Sequence, residues 1–251
     1  MIIELDAATD SEERIRAAIL SVRRKDDVVV IRRGAKRFDR AGWRDFLTGK
    51  CGFLHDRRHY SIDARLELED WWEISYQPEK ATSYAYSNTR QPLHTDNGWF
   101  ADPAELNFFL MEKQAVAGGE QMLYRVGRLI ADLEEKAPSL LRDLSSVQVT
   151  IRKGDGEHRN VTEIIRLGEE PKVFWNYYRT EKQAPEVQRM CDAFFKFLEL
   201  QESTPSVERI RMNSGDCFCF HDQKMLHGRA AFQTANALDR VLFQSMWRIP
   251  R

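Results

Sequence analysis

Short runs of β-branched and aromatic residues recur along this chain with no regular alternation of strand and helix between them. The runs are Asp27–Arg32, Glu105–Met111, Gln148–Arg152, Lys172–Tyr178, Val207–Met212, Asp216–Phe220 and Arg240–Trp247. A doubly wound parallel sheet needs a crossover helix after each strand, so this pattern predicts an antiparallel sandwich or barrel. Three helices are expected to flank it. Asp10 or Ser11 can cap one over Glu12 to Arg24, and a second follows the Arg33-Gly34 break at Arg40 to Leu47, so the opening reads helix, strand, helix. The third starts near Pro185, where Val187, Met190, Cys191, Phe194, Phe197 and Leu198 recur at spacings of three and four. Residues 50–92 mix aromatics with charge in no sustained period and read as mostly loop, a candidate lid, since long irregular segments in compact domains are often functional.

At 251 residues and 42% apolar content the chain can bury a large core, and one domain is expected. Within residues 1–251 the expected division is a helix-strand-helix opening at 1–49, the loop region at 50–92, and a β core at 93–251 with its helical insert near 185–200. The 38 basic and 39 acidic side chains leave a formal charge of -1, which implies no global attraction to nucleic acid or to an anionic membrane. No apolar run approaches the roughly 20 residues of a membrane span, and the acidic start MIIELDAATDSEER lacks the features of a signal peptide, so a cytoplasmic location is expected. Cys51, Cys191, Cys217 and Cys219 are too scattered for a disulfide scaffold and form no Cys-x-x-Cys unit; buried, reduced thiols are expected.

Chemistry concentrates in two places. Leu93-His94-Thr95-Asp96-Asn97-Gly98 sets an imidazole and a carboxylate two residues apart, and on a strand such residues point to one side. Far downstream, Gly215-Asp-Cys-Phe-Cys-Phe-His221-Asp-Gln-Lys-Met-Leu-His227-Gly-Arg229 offers two further imidazoles. Two imidazoles and one carboxylate on one face of an ion leave three positions open, the facial arrangement of non-haem Fe(II) oxygenases; zinc would prefer a closed or nearly closed tetrahedral site.

With these motifs in their order (His94-Thr-Asp96, Gly118-Gly119-Glu-Gln121, Gly215-Asp216, Leu226-His227-Gly-Arg229 and Asp239-Arg240), the chain resembles the Fe(II)/2-oxoglutarate-dependent dioxygenases of the taurine dioxygenase and clavaminate synthase-like superfamily over roughly residues 80 to 250. The resemblance implies a mainly β fold with flanking helices, a double-stranded β-helix (jelly-roll) barrel with iron at its open mouth. It implies His94, Asp96 and His227 as iron ligands and Arg240 as partner of the distal carboxylate of 2-oxoglutarate, a role suited to a planar, permanently charged fork. It also implies consumption of O2 and release of succinate and carbon dioxide while an unactivated C–H bond is oxidised. Asp96 disfavours halogenation, because halogenating relatives lack that carboxylate.

Three departures stand out. Gln121 occupies the place of a small hydroxyl residue that binds the cosubstrate, and is expected to serve as an amide donor to it. His221-Asp222 replaces an acidic-amide pair, with His221 expected to be structural or to support a ligand. Gln244 stands where sulfonate-using relatives carry a second arginine, which argues against a sulfonate. Asn176, Tyr177, Arg179 and Trp99 are the expected substrate-pocket residues. The expected activity is hydroxylation of a small, polar, amino-acid-like or carboxylic-acid metabolite, with desaturation, cyclisation or epimerisation as alternatives at the same centre. A protein or nucleic-acid hydroxylase and a non-catalytic cupin-like binding module are the remaining readings. A small-molecule substrate is the expected partner, with a homo-oligomer an open alternative.

Overall fold

The structure is a computed structural model that describes residues 1–23, 26–61, 65–154 and 158–250. Two antiparallel sheets face each other, as the jelly-roll expectation requires. The larger sheet runs Ile2–Asp6, Val28–Arg32, Cys217–His221, Leu106–Lys113, Val241–Arg248, with only its first pair parallel. The free edge of Val241–Arg248 is shared by Trp72–Ser75 along its first half and Leu54–Asp56 along its second. The smaller sheet runs Glu208–Ile210, Gln121–Arg125, Met225–Arg229, Gln91–His94.

Strand alternation divides the apolar residues between two layers. Val28, Val30, Phe109, Phe218 and Phe220 face the smaller sheet and meet Leu123, Ile210 and Met225. The residues between them, Val29, Ile31, Phe108, Cys217 and Cys219, face the other way, against Ile15, Ile19, Trp43 and Leu47 of the helices Glu12–Ser21 and Arg40–Gly49. Buried on both faces, these strands read as near-continuous apolar runs, and each enclosed Phe contributes about 2 kcal/mol. All four cysteines are buried and free. A third cluster lies against the smaller sheet, where Leu129, Leu133, Leu141 and Leu144 of the helices Val126–Lys136 and Pro138–Ser146 pack with Phe194 and Leu198 of Pro185–Gln201.

Several expectations need correction. The chain opens with a strand, Ile2–Asp6, which completes the sheet beside Val28–Arg32. The first helix is capped by Ser11 and ends at Ser21; Arg24 lies outside the described residues. Residues 50–92 are largely irregular as expected, but besides the two edge strands they hold a hairpin, Arg58–Tyr60 with Leu66–Leu68. These pieces of three or four residues are too short to show a period. The expected strand Lys172–Tyr178 stops at Val173, because the Asn176 carbonyl accepts from the Arg179 and Thr180 N–H groups and turns the chain. The pair of helices over 126–146 was not expected, although Pro138 at a first turn and leucines at helical spacing mark it.

Candidate metal centre

His94 and His227 are direct cross-strand partners, which brings their rings to 4.4 Å between centroids. The His94 Nδ1 lies 2.8 Å from the Pro92 carbonyl oxygen, so it donates there and leaves Nε2 as the acceptor. Asp96 does not share a strand with His94, contrary to the expectation, because the strand ends at His94. The chain is held instead by Thr95, whose N–H donates to the Trp175 carbonyl at 2.7 Å and whose hydroxyl accepts from the Trp175 N–H at 2.9 Å. Asn97 then takes a left-handed turn at φ 51°, which asparagine tolerates better than most residues. The outcome is compact: Asp96 Oδ1 is 3.6 Å from His94 Nε2, Oδ2 is 3.2 Å from His227 Nε2, and the three ligating atoms lie within 4.8 Å of one another.

Outer partners orient this carboxylate. Gln244 Nε2 donates to Asp96 Oδ2 at 2.6 Å, and Asn107 Nδ2 donates to it at 3.2 Å. Asn107 also donates to Asp222 Oδ1 at 2.8 Å, and that oxygen accepts the Asp96 backbone N–H at 3.1 Å while facing His227 Nδ1 at 3.7 Å. Asp222, not His221, therefore supports the candidate ligands. His221 is buried apart from them, and burial with the nearby Lys224 and Lys172 brings its imidazole to about 3. Burial alone would push the Asp96 carboxyl up, but the charge and hydrogen bonds of His227 and His94 hold it well below the usual range. The opposite holds for Asp222, which burial and the neighbouring Asp96 push well above that range. The pair thus offers one anionic carboxylate and one that favours its proton.

All three candidate ligands open onto a cavity of about 580 Å³, also lined by Arg240, Gln121, Gln244, Asn176, Arg179 and Trp99. Arg240 is only 1% exposed, and among the described residues nothing accepts from its Nε or Nη2. It is not paired with Asp239, which is bound by Lys113 and by turn N–H groups. Burial, then the charge of Arg229, lowers its pKa, so the site favours an incoming anion. Gln121 Nε2, buried in the same cavity, is also without a partner among the described residues. The preceding Gly118-Gly119 turn explains its glycines: at φ 74° a Cβ on Gly118 would meet the Ala231 carbonyl oxygen at 2.2 Å, and one on Gly119 would crowd Arg240 Nε at 3.3 Å.

Tyr177 is a correction. The turn at Asn176 swings it away from this cavity, and its hydroxyl donates to Asp192 at 2.7 Å while its ring packs on Phe195. Its neighbour Tyr178 lines the cavity and meets Tyr84. Sequence reasoning also missed Lys153, at the end of the strand Gln148–Lys153, and the anchoring role of Arg229. The guanidinium of Arg229 donates to the carbonyls of Tyr84, Ser87 and Thr89 and ties that wall to the smaller sheet.

Comparison with known proteins gives a consistent picture. Residues 3–247 match the family described as taurine catabolism dioxygenase TauD, TfdA family. A human gamma-butyrobetaine dioxygenase is 24% identical over 183 residues, 68% of this chain and 47% of the relative. The chain thus spans about half the length of the curated relatives it matches. Among solved structures, an asparagine oxygenase in complex with Fe(II), 2S,3S-3-hydroxyasparagine and succinate superposes with a TM-score of 0.69 at 15% identity, covering 94% of this chain and 79% of that one. The non-heme iron oxygenase OrfP in complex with Fe and alpha-ketoglutaric acid gives 0.66 at 14% identity, with 95% and 79% covered.

Proposed function

The chain belongs to the taurine catabolism dioxygenase TauD, TfdA family, and from that premise we propose that it is an Fe(II)- and 2-oxoglutarate-dependent oxygenase. Its substrate in this reading is a small, polar, amino-acid-like or carboxylic-acid metabolite, which it hydroxylates. One observation carries the reading: a fully buried arginine with unpartnered donors shares a cavity with two histidines and an ionised aspartate. A structural metal site or a bare cupin-like module has no use for Arg240, whereas a dicarboxylate cosubstrate does.

The donor set suits the group. His94, Asp96 and His227 supply a two-imidazole, one-carboxylate face, and Arg240 with the Gln121 amide supplies donors for a carboxylate. When bound, iron with 2-oxoglutarate would activate O2 and provide the oxidising power for an unactivated C–H bond, with succinate and carbon dioxide released. The protein's own contribution is positional. Gln244, Asn107 and Asp222 fix the Asp96 carboxylate and the His227 ring, and Phe109, Leu242 and Met246 keep the inner wall apolar. Asn176, Arg179 and Trp99 line the substrate side, and the solved asparagine oxygenase with its 3-hydroxyasparagine supports an amino-acid-like substrate. A lid role falls to residues 78–88, which wall the cavity and are tied down by Arg229. Among the described residues no helix is long and apolar enough to cross a membrane.

The test is an oxygen-free titration of Fe(II) and then 2-oxoglutarate into metal-free protein, followed by the visible charge-transfer band of a chelated keto acid. The band is expected in the parent protein, absent in His227→Ala, and displaced to far higher 2-oxoglutarate in Arg240→Leu. Iron binding without a band would make the chain a metal-binding module instead.

A further inference from the structure

Most cations lining the cavity are already committed. Arg57 pairs with Asp70 at 2.7 Å, Arg58 pairs with Asp56 at 2.7 Å, and Arg229 is spent on three backbone carbonyls. Arg240 is assigned above to the cosubstrate. Lys153 and Arg179 are different, because neither has a carboxylate partner among the described residues. The acid nearest Arg179 in sequence, Glu181, is taken by Arg152 at 2.8 Å.

The fold builds this pair deliberately into one wall. The 176–181 turn is stitched to the strand Gln148–Lys153, with the Arg152 N–H donating to the Arg179 carbonyl and the Glu181 N–H donating to the Thr150 carbonyl. Lys153 Nζ donates to the Tyr60 carbonyl at 3.2 Å and lies 4.7 Å from the Trp99 ring centroid, 5.7 Å from Tyr60 and 6.0 Å from Trp72. Three aromatic rings so placed form a box of the kind that receives quaternary ammonium ligands. Here the box is filled by the chain's own ammonium. Lys153 and Arg240 also feel different charges: Arg229 acts on Arg240, whereas Arg179 and Asp96 act on Lys153.

We propose that Lys153 and Arg179 form a second anion subsite that binds the substrate's carboxylate, and that Lys153, by occupying the Tyr60–Trp72–Trp99 box, excludes a cationic group from that place. This rests on reading the cavity as an oxygenase site. Lys153 is half-buried and Arg179 is exposed on the same cavity wall; two like charges there without a carboxylate partner among the described residues repel each other, a cost that an anion between them relieves, and the aromatic box keeps the ammonium aimed at the cavity.

The experiment uses the oxygen-free Fe(II)/2-oxoglutarate protein and reads perturbation of its charge-transfer band, with calorimetry in parallel. The probes are free amino acids and short-chain carboxylates, each beside its carboxamide, with choline as the cationic comparator. Carboxylates are expected to bind and choline is not. Lys153→Met and Arg179→Gln should each weaken carboxylate binding roughly 10- to 100-fold, with the band itself still formed, and Lys153→Arg should recover most of the loss. The inference is overturned if no carboxylate binds up to about 10 mM, if carboxamides bind as well, or if the variants bind like the parent. An absent band overturns the oxygenase reading and this inference together; a band with no carboxylate response overturns this inference alone.

Discussion

Two charges buried to the same depth are treated in opposite ways. Asp132, on the helix Val126–Lys136 behind the smaller sheet, is 0% exposed and accepts from the Tyr124 hydroxyl at 2.7 Å, Arg128 Nη2 at 2.9 Å and Lys136 Nζ at 3.0 Å. Arg240, on the cavity side of the larger sheet, is 1% exposed and leaves two donor atoms without partners among the described residues. Burial would raise Asp132, but its donors outweigh that and bring the carboxyl to about 2; nothing comparable offsets the burial of Arg240. A charge whose bonds close within the fold stabilises the fold, while one left open inside a cavity is reserved for a ligand.

The strongest way to break this contrast is at the candidate metal ligands. His227→Ala should lower Fe(II) affinity by more than about 100-fold, above what outer partners typically contribute, whereas Asp132→Asn should leave it unchanged. Oxygen-free calorimetry decides, and a His227→Ala protein that still binds iron tightly would remove the centre from this cavity. Next is Arg240→Leu, expected to weaken 2-oxoglutarate about 100-fold with iron affinity intact. Because nothing among the described residues accepts from its Nε or Nη2, thermal stability should hold or rise; a large drop in Tm would mean that Arg240 belongs to the scaffold after all.

The converse effect is smaller. Asp132→Asn removes the charge that Arg128 and Lys136 share, and should cost about 2 kcal/mol of stability with no change in 2-oxoglutarate binding. Its pH signature follows from a native pKa of about 2 against an unfolded value near 3.9. The contribution is complete above the unfolded value and fades as pH falls toward 2, so the parent and variant urea midpoints should converge in acid. Midpoints that stay parallel down to that pH would assign the stability to shape and not to charge.

The contrast also explains what the sequence could disclose. His94, Asp96, His227 and Arg240 carry a motif, because facial ligation and carboxylate binding demand fixed residue types in a fixed order. The long apolar strands Leu106–Lys113 and Val241–Arg248 of the larger sheet can be read from composition, whereas the short strands Gln91–His94 and Met225–Arg229 that carry the two histidines cannot. Asp222 and Lys153 have no such signature. Asp222 matters because the short turn Asp222–Lys224 lays it under His227, and Lys153 because a hairpin and an aromatic box meet from three parts of the chain. Tyr177 fails for a related reason: a single turn at Asn176 exchanges its direction with that of Tyr178. Within residues 50–92, Leu54–Asp56 and Trp72–Ser75 are hidden because pairing with Val241–Arg248, and not local propensity, makes them strands.

The subtlest effect concerns Lys153, which falls between the two extremes, half-buried and bound to one carbonyl yet without a counter-ion among the described residues. Burial, then Arg179, lowers its ammonium to about 8, against the partial opposition of Asp96. The other groups around it hold their charge state near that pH: Arg179 is exposed and stays protonated, Asp96 is ionised far below, and His59, lowered by burial, is neutral. Carboxylate affinity should therefore fall severalfold as pH rises from 7 to 9, and a bound anion should move the midpoint upward. Folding stability has the opposite sign. A lysine lowered from 10.5 to about 8 penalises the fold below the lower value, and the penalty disappears as pH climbs past the higher one. A lysine that merely props the aromatic box predicts only the stability trend, and both trends should vanish in Lys153→Met. Carboxylate binding that stays flat across this range in the parent protein would return Lys153 to the scaffold, beside Asp132.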